Sequence, residues 1–293
     1  MSVEFGALSS LKITVLIEDS AGFDSKLLAQ HGISFLVEAV GDESHKLILF
    51  DTGQNSFSIL YNMEILKINP SDIDIIFLSH CHYDHTGGLC GMLEAIGKRR
   101  VPVIAHPAIF RHQFTVEPTF KFIGMGPDNN RAAIEHAGGE LFLVDKPLRL
   151  MEGVLTTGEI KERVDLEKKP TLELLTMTEG KASADYFRDD TSMIFRLPEG
   201  LVVLAGCSHA GIVSIVKQAV KLCGVSEVLA IIGGLHLLTA VEERIEKTIQ
   251  SLLELNVRMI YAGHCTGQKA YPILMNRCGK RFEKLYTGKT MTF

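Results

Sequence analysis

The chain has 293 residues, 46% of them hydrophobic, and carries 30 lysines and arginines against 35 aspartates and glutamates. A chain of this length forms either one large domain or two similar halves, and it holds enough apolar surface for a core that folds without metal or disulfides. The net charge of −5 and a longest basic run of only Lys98, Arg99 and Arg100 argue against a protein that binds nucleic acid through its phosphates.

Cysteine usage and hydropathy indicate the compartment. The six cysteines are widely spaced and include no Cys-x-x-Cys pair, which is typical of a reducing environment. The N-terminus lacks a basic signal-peptide region, and the most apolar stretch, VLAIIGGLHLL, is shorter than the roughly 20 residues of a membrane helix. We therefore expect a cytoplasmic protein without a membrane partner, in an oligomeric state that no sequence pattern indicates.

The N-terminal part of the chain is predicted to form a sheet. Its segments LKITVLIED, ISFLVEAV and KLILFD have the length and composition of strands and are bounded by Gly, Asp or Ser. From Ile73 onward another unit recurs, in which an apolar run of strand length ends at a histidine. The four copies are IDIIFLSH, LVVLAGCSH, VLAIIGGLH and VRMIYAGH, which end at His80, His209, His236 and His264.

Alternation of strands and helices in the later part of the chain predicts βα units. Apolar residues at helical spacing follow the last three of these histidines, and Thr239 is a candidate N-cap of the middle helix. Ligands bind outside the carboxyl ends of strands in such sheets, so histidines far apart in sequence are expected to converge on one cleft. Asp51 and His106, which end the apolar runs LILFD and VPVIAH, occupy equivalent positions.

The stretch at about 106–190 is less regular and contains the segment VEPTFKFIGMGPDNN and the charged loop KERVDLEKKP. Long loops in a compact domain are often lids or substrate walls, whereas a solvated insertion is the alternative for the charged loop. Arg111 and Lys121 lie in this stretch and are either contacts for an anionic substrate or solvated basic residues.

The densest cluster of polar residues is LSHCHYDHTGGL, which places His80, His82, Asp84 and His85 just after an apolar strand. Imidazole and carboxylate groups suit zinc, iron or manganese. Because side chains two residues apart lie on the same side of an extended segment, His80 and His82 are predicted to hold one ion. Asp84 and His85 lie on the turn beyond and are predicted to hold a second ion, while Cys81 points the opposite way into the core.

The pattern His-x-His-x-Asp-His, together with the strand-ending Asp51, resembles that of the metallo-β-lactamase superfamily. The resemblance implies an α/β fold, the αββα metallo-β-lactamase sandwich, as a single domain over residues 1–293 with an irregular substrate wall at about 106–190. It also implies one or two divalent transition-metal ions at the sheet edge, zinc being expected first and manganese or iron being alternatives. The strings GCSHAG, GGLHL and GHCTG look more specifically like the dihydropterin synthase-like branch.

The resemblance assigns metal ligands residue by residue. His80 and His82 match the ligands of the first metal, and Asp84 and His85 match those of the second. His264, in YAGHCTG after a late strand, matches the final histidine of the pattern. The resemblance thus implies that ligands from both ends of the chain meet at one site.

The sequence departs from the superfamily pattern at the remaining ligand positions. Where most members have a histidine in a Gly-His-Thr-type segment this chain reads RDDTSM, and where they have a bridging aspartate it reads AGCSHAG. Either Asp190 replaces that histidine or His209 supplies the imidazole from the next strand, and Cys207 falls at the bridging position. We favour His209 as a ligand. Cys207 and Asp190 are either further ligands or, respectively, a buried apolar thiol and a surface carboxylate.

Three more residues have expected roles beside the ligands. His236 matches no common ligand and is assigned as a catalytic residue that transfers protons or contacts substrate, the alternative being a histidine at the edge of the core. Asp51 is expected to hydrogen-bond the second ring nitrogen of a ligating histidine, which fixes its tautomer. A site role for His106 is the weakest of these expectations.

These residues predict a metal-dependent hydrolase that acts on a phosphate ester or another small anionic metabolite through a metal-bound hydroxide. Asp84 orients the hydroxide in this interpretation, and His236 handles the proton of the leaving group. One alternative is a dihydropterin synthase-like condensing enzyme that releases phosphate. A second alternative is a metal-bearing sensor or binding protein with little turnover, because fold does not determine function.

Overall fold

The computed structural model describes residues 5–170 and 173–293. Two seven-stranded sheets dominate this part of the chain, and each contains both antiparallel and parallel pairs. The first sheet contains β1 (Ser10–Ile17), β2 (Ser34–Val40), β3 (His45–Phe50), β4 (Ile75–Phe77), β5 (Val101–Ala105), β8 (Gly139–Leu143) and β18 (Thr290–Thr292). Their spatial order is β18-β1-β2-β3-β4-β5-β8.

The second sheet is built from the later part of the chain. It contains β9 (Arg149–Met151), β10 (Val154–Thr156), β13 (Met193–Leu197), β14 (Gly200–Leu204), β15 (Val228–Gly234), β16 (Met259–Gly263) and β17 (Phe282–Lys284). Their spatial order is β17-β16-β15-β14-β13-β10-β9, with β14, β15, β16 and β17 parallel to one another. The four runs that end in histidine thus supply β4 of the first sheet and β14, β15 and β16 of the second.

Helices cover the outer face of each sheet. They are α1 (Ser56–Ile65), α2 (Tyr83–Thr86), α3 (Leu89–Ile96), α4 (Arg131–His136), α5 (Ile212–Cys223), α6 (Glu242–Glu254) and α7 (Ala270–Cys278). In the described part of the chain, no helix has both the length and the apolar character needed to span a bilayer. The predicted N-cap of α6 is wrong, because the helix begins after Val241 rather than after Thr239. Glu242 and Glu243 occupy its first turn, where carboxylates interact favourably with the helix dipole.

Three apolar clusters show why the layers stack in the order αββα. Alternate residues of a strand face opposite sides of a sheet. Phe50 of β3 accordingly packs with Phe195 of β13 between the two sheets, whereas Leu49 faces the outer helices together with Leu89 and Leu93 of α3. The outer face of the second sheet packs in the same way against α5, α6 and α7. The predicted sandwich is therefore the observed fold.

The stretch at 106–190 is more regular than its sequence indicates. It contains a small antiparallel sheet in the order β12-β11-β6-β7, whose strands are β6 (Gln113–Thr115), β7 (Lys121–Phe122), β11 (Leu175–Thr178) and β12 (Lys181–Ala184). These strands have two to four residues each, too few for a clear alternation of apolar and polar positions. The pairing of β6 with β11 brings together residues about sixty positions apart, which local patterns do not indicate.

Candidate metal centre

The strand-ending histidines meet at one edge of the sandwich. The ring centroids of His80 and His209 lie 4.8 Å apart, and those of His209 and His236 lie 4.0 Å apart. His264 joins the cluster through His85, at 5.2 Å between ring centroids. Histidines separated by up to 184 positions thus converge, as the strand-end argument predicts.

Backbone strain marks the same edge. Asp51, Ser208, His236 and His264 all have positive φ, between 47° and 61°, although none of them is glycine. Such conformations cost on the order of 1–3 kcal/mol each and persist where the surrounding structure imposes them, often at functional sites. Each of the four lies within four residues after a strand, so the strain turns the chain sharply where the side chains must face the cluster.

A first group of donor atoms contains His80, Cys207 and His209, whose ligand atoms all lie within 4.8 Å of one another. His82 adjoins it, with its Nδ1 3.2 Å from His209 Nε2. The Nε2 atoms of His80 and His82 and the Nδ1 atom of His209 are buried without a hydrogen-bond partner in the described part of the chain. Buried ring nitrogens without partners are costly unless a cation receives their lone pairs, so this donor set fits a metal ion.

A second group contains His85, Cys207 and His264, again with ligand atoms within 4.8 Å of one another. Asp84 adjoins this group, since its Oδ2 atom lies 3.2 Å from His264 Nε2 and 3.7 Å from His85 Nε2. One carboxylate, one thiol and two imidazoles form a donor set suited to zinc. The predicted second-metal residues thus lie together with His264.

Cys207 belongs to both groups. The sequence pattern favours His209 as a ligand and leaves the role of Cys207 open. Its Sγ atom lies 3.2 Å from His85 Nε2, and the same atom completes the first group with His80 and His209. The thiol therefore lies within reach of the other donor atoms of both groups. Burial raises the pKa of this thiol, so in the metal-free protein it is protonated. The sequence signal was the position of Cys207 after Gly206, at the place of the usual bridging aspartate.

Asp51 orients two of the candidate ligands, as predicted. Its Oδ2 atom lies 2.6 Å from His85 Nδ1 and accepts a 2.7 Å hydrogen bond from the Ser79 hydroxyl, which also lies 2.9 Å from His80 Nδ1. Both imidazoles thereby present Nε2 to the cluster. Gly206 is required for this arrangement, because a Cβ atom there would lie 2.2 Å from Ser79 Oγ.

Asp19 and His31 form a further donor group with His264, and sequence reasoning missed both. Asp19 Oδ1 lies 3.0 Å from His264 Nδ1. It therefore orients the His264 ring through Nδ1, as Asp51 orients the His85 ring. The exposed His31 places its Nε2 atom 3.4 Å from Asp84 Oδ2. Asp19 follows β1 closely, as Asp51 follows β3, and that was an available signal. His31 follows no strand, and no pattern pointed to it.

Asp190 is buried, which excludes a surface carboxylate, the alternative to a ligand role at this position. Its Oδ2 atom accepts a 2.7 Å hydrogen bond from the backbone amide of Ala210, next to His209. Burial raises the pKa of Asp190 to about 7. The groups of donor atoms described above do not include it. Asp190 therefore contacts the loop that carries His209.

The basic residues of the substrate-wall stretch differ in their surroundings. Arg111 is mostly buried, donates a 2.6 Å hydrogen bond to Asp185 and pairs with Asp189, so the expectation that it is either solvated or free to meet substrate is wrong. Lys121 is exposed and lies 5.2 Å above the Tyr83 ring. The pairing of Arg111 depends on residues more than seventy positions away, which explains why its sequence context gave no indication.

His106 and His236 have different positions relative to the cluster. His106 Nδ1 accepts a 3.1 Å hydrogen bond from the Ala108 amide and caps a short helical turn, and no metal-capable group includes it among the described residues. His236 is half-buried and forms a further donor group with Cys207 and Cys265. It is thus close enough to serve the reaction or to act as a ligand.

The candidate ligands predict a pH dependence for the metal-free protein. Burial lowers the pKa of His82 to about 4 and also lowers those of His80 and His209, whereas an unfolded histidine titrates near 6.5. As the pH falls, the three histidines are protonated in the unfolded chain before they are protonated in the folded one. The contribution of the neutral imidazoles to the free energy of unfolding is therefore complete above about pH 6.5 and is lost as the pH falls towards 4. For His82 alone the loss amounts to about 3 kcal/mol.

Urea unfolding of chelator-treated protein at pH 8 and pH 5 measures the part of this loss that falls above pH 5, about 2 kcal/mol for His82. The variant His82→Asn should show a shallower pH dependence than the unsubstituted protein. Equal slopes for the two proteins would contradict the assignment of His82 as a buried neutral imidazole.

Comparison with known proteins gives a family match and two relatives that align over most of the chain. The sequence profile of the metallo-β-lactamase superfamily matches residues 31–208. A relative from Methanocaldococcus jannaschii, 7,8-dihydropterin-6-methyl-4-(beta-D-ribofuranosyl)-aminobenzene-5'-phosphate synthase, is 43% identical over 295 residues that cover 100% of both chains. The uncharacterised protein MJ0448 of the same organism is 30% identical over 88% of this chain and 91% of its own.

Solved structures show the same fold. The crystal structure of Tm1679, a metal-dependent hydrolase of the β-lactamase superfamily, has a TM-score of 0.79 at 26% identity and covers 96% of this chain and 98% of that one. The metallo-β-lactamase fold protein YhfI from Bacillus subtilis has a TM-score of 0.57 at 14% identity, over 97% and 99% of the two chains. Since the profile spans more than half of the chain and the sandwich is shared with these structures, the chain belongs to the metallo-β-lactamase superfamily.

Proposed function

We propose that the protein is a metal-dependent synthase that joins a 6-methyl-7,8-dihydropterin unit to the amine of 4-(β-D-ribofuranosyl)aminobenzene 5'-phosphate. The observation that carries this proposal is the 43% identity to a synthase of that product along the whole of both chains. The sequence interpretation placed hydrolysis first and condensation second, and the full-length similarity favours the reverse order.

The proposed reaction forms one bond and breaks one. The arylamine nitrogen bonds to the 6-methyl carbon of the pterin, and the bond from that carbon to a phosphate or diphosphate oxygen breaks. The leaving group departs with the electron pair, and the amine loses one proton. No oxidant or reductant is required, so binding, orientation and proton transfer are the tasks left to the protein.

Two divalent ions fit the donor groups, and zinc is our choice because the donors are nitrogen, sulfur and carboxylate. His80, His82, His209 and Cys207 would hold one ion, and Asp84, His85, His264 and Cys207 the other. When bound, the ions supply positive charge that stabilises the departing phosphate oxygens.

The chain's own residues contribute orientation, a proton acceptor and exclusion of water. Asp51 and Asp19 hold His85 and His264 in fixed orientations through their Nδ1 atoms. The candidate ligands His80 and His85 have no exposed surface, and His264 is only 6% exposed, which limits access of water to the cluster. Limited water access favours transfer to an amine over hydrolysis. His236 is the proposed proton acceptor for the amine.

The decisive experiment combines the diphosphate ester of 6-hydroxymethyl-7,8-dihydropterin with the arylamine phosphate and metal-loaded protein. We expect a coupled product by mass spectrometry, with one diphosphate released per product. Release of phosphate that is independent of the arylamine would instead establish a hydrolase, the second candidate, which the similarity to Tm1679 favours. A panel of phosphodiesters, lactones and β-lactams would then identify its substrate class.

His236→Ala tests the proposed proton acceptor. We expect unchanged metal content and near-native melting temperature, with turnover reduced by roughly 10²–10⁴-fold. A histidine that only supports the core predicts the reverse, namely preserved activity and a stability loss on the order of 1–3 kcal/mol. Loss of metal would show that His236 is a ligand, as its proximity to Cys207 and Cys265 allows.

His106→Ala is the matched control for this test. It removes a buried imidazole that lies outside the metal-capable groups among the described residues. Metal content, melting temperature and rate are measured on both variants.

A further inference from the structure

A basic cavity of about 350 Å³ adjoins the charged loop whose role the sequence left open. The charged and aromatic side chains that line it are Glu159, Lys161, Arg163, Lys168, Tyr186 and Arg188. Four of these six side chains are cationic and only one is acidic. The volume lies in the range of small-molecule sites, which is roughly 300–1,000 Å³.

The nearby carboxylates do not neutralise all of this positive charge. Glu159 accepts hydrogen bonds of 2.9 and 3.2 Å from Arg188 and lies 3.9 Å from Lys161. Asp165 pairs with Lys168 at 2.6 Å. Two carboxylates therefore face four cations, and the cavity retains an excess of positive charge suited to an anion.

Arg163 is the cation without a close ion pair, and its charge acts on the buried Asp190 by opposing the rise in the pKa of that carboxyl. Within residues 5–170 and 173–293, no ion pair within 4.0 Å involves it. One of its terminal nitrogens, Nη2, donates to the carbonyl oxygen of Tyr186. The other, Nη1, is buried and has no hydrogen-bond partner among the described residues. A guanidinium with an unused donor is the side chain best suited to grip a phosphate.

The cavity lies next to the metal centre along the chain. Tyr186 and Arg188 line it, and Phe187 between them stacks on His209 with ring centroids 4.2 Å apart and ring planes 1° apart. Consecutive Cα atoms are about 3.8 Å apart, so the two cavity-lining residues are the immediate chain neighbours of Phe187, whose ring packs on the candidate ligand His209. The segment 186–188 thus contributes both to the cavity wall and to the packing of a candidate ligand.

We propose that this cavity binds the 5'-phosphate of the ribosylated arylamine, which rests on the proposed function. A phosphate monoester carries a charge of about −1.5 to −2 at pH 7 and offers three acceptor oxygens, which match the unpaired Arg163 and the surrounding lysines. The half-exposed Tyr186 ring supplies apolar surface beside the phosphate. The leaving group of the pterin ester is the other phosphate in the reaction, and the experiment separates the two.

Arg163→Gln tests the proposal by steady-state kinetics of the metal-loaded protein. We expect the KM for the arylamine phosphate to rise about 10–100-fold, because charged hydrogen bonds to the phosphate are lost. The kcat and the KM for the pterin ester should stay within about twofold of the unsubstituted protein. A rise in the KM for the pterin ester alone would overturn the assignment to the arylamine.

Two further variants keep the test interpretable. Lys161→Gln changes a side chain that is 66% exposed, so it should raise the same KM without affecting folding. Lys221→Gln is the matched control, since it neutralises a nearby cation that already pairs with Glu162 at 2.9 Å, and it should leave both KM values unchanged. If Lys221→Gln raised the arylamine KM as much as Arg163→Gln, a general charge effect would replace the proposed site.

Direct binding separates failure of this proposal from failure of the proposed function. The probes for calorimetry are the arylamine phosphate and its dephosphorylated form. If the protein forms no coupled product but binds the phosphorylated probe tighter through Arg163, the phosphate site stands and the synthase function fails. If coupling occurs and Arg163→Gln changes neither the arylamine KM nor binding, the synthase stands and the phosphate site is overturned.

Discussion

Simultaneous replacement of His80 and His82 by alanine should remove at least one metal ion per chain and abolish measurable turnover. Both imidazoles have a buried Nε2 atom without a partner among the described residues, and their rings lie 4.5 Å apart, His80 in the first donor group and His82 next to it. Loss of a residue that only orients a ligand typically costs about 10–100-fold in metal affinity, so loss of two ligands should cost more. Elemental analysis of the purified variant and the coupling assay measure the two effects.

The double variant should still fold, because three apolar clusters hold the layers together without contributions from either histidine. Circular dichroism checks this point. His106→Ala serves again as the control for removal of a buried imidazole, and it should retain full metal content. Native metal content in the double variant would refute the assignment of the first donor group.

Cys207→Ser should weaken the binding of both ions, whereas His209→Ala should affect one. The thiol belongs to both donor groups, but the His209 ring belongs only to the first. A serine hydroxyl keeps the shape of the side chain but is a far weaker zinc ligand than a thiolate. Metal titrations with a chromogenic chelator should therefore show two weakened sites in Cys207→Ser and one in His209→Ala.

Cys81→Ser is the matched control for the thiol. Cys81 is equally buried, but its Sγ atom faces the Gln113 amide oxygen at 3.7 Å instead of the cluster. This variant should keep both ions. A Cys207→Ser protein that binds two ions as tightly as the unsubstituted protein would show that the thiol is not shared, and His209 would then be the principal ligand of its loop.

The sequence by itself determined the part of the centre that depends on local geometry. His80, His82, Asp84 and His85 lie within six consecutive residues, and the extended segment followed by a short turn sets their relative positions. The apolar runs that end in histidine also sufficed to predict convergence, because parallel strands end at the same edge of a sheet. The sandwich followed from the resemblance that these residues carry.

Tertiary structure alone decided the contacts between residues distant in the chain. Asp190, for which the sequence left a ligand and a surface carboxylate open, is buried and accepts a hydrogen bond from the loop that bears His209. Arg111 is neutralised by Asp185 and Asp189 from the far end of its own stretch.

Loop conformation accounts for the remaining features that the sequence did not predict. The His31 loop reaches Asp84 without any periodic pattern. Cys207 comes to lie between two donor groups only once both sheets are packed face to face. Hydrophobic periodicity indicates which face of a helix or strand is buried. The partners of a side chain in a loop depend instead on backbone turns, such as those at Ser208 and His264, where φ is positive. Periodicity does not encode these turns.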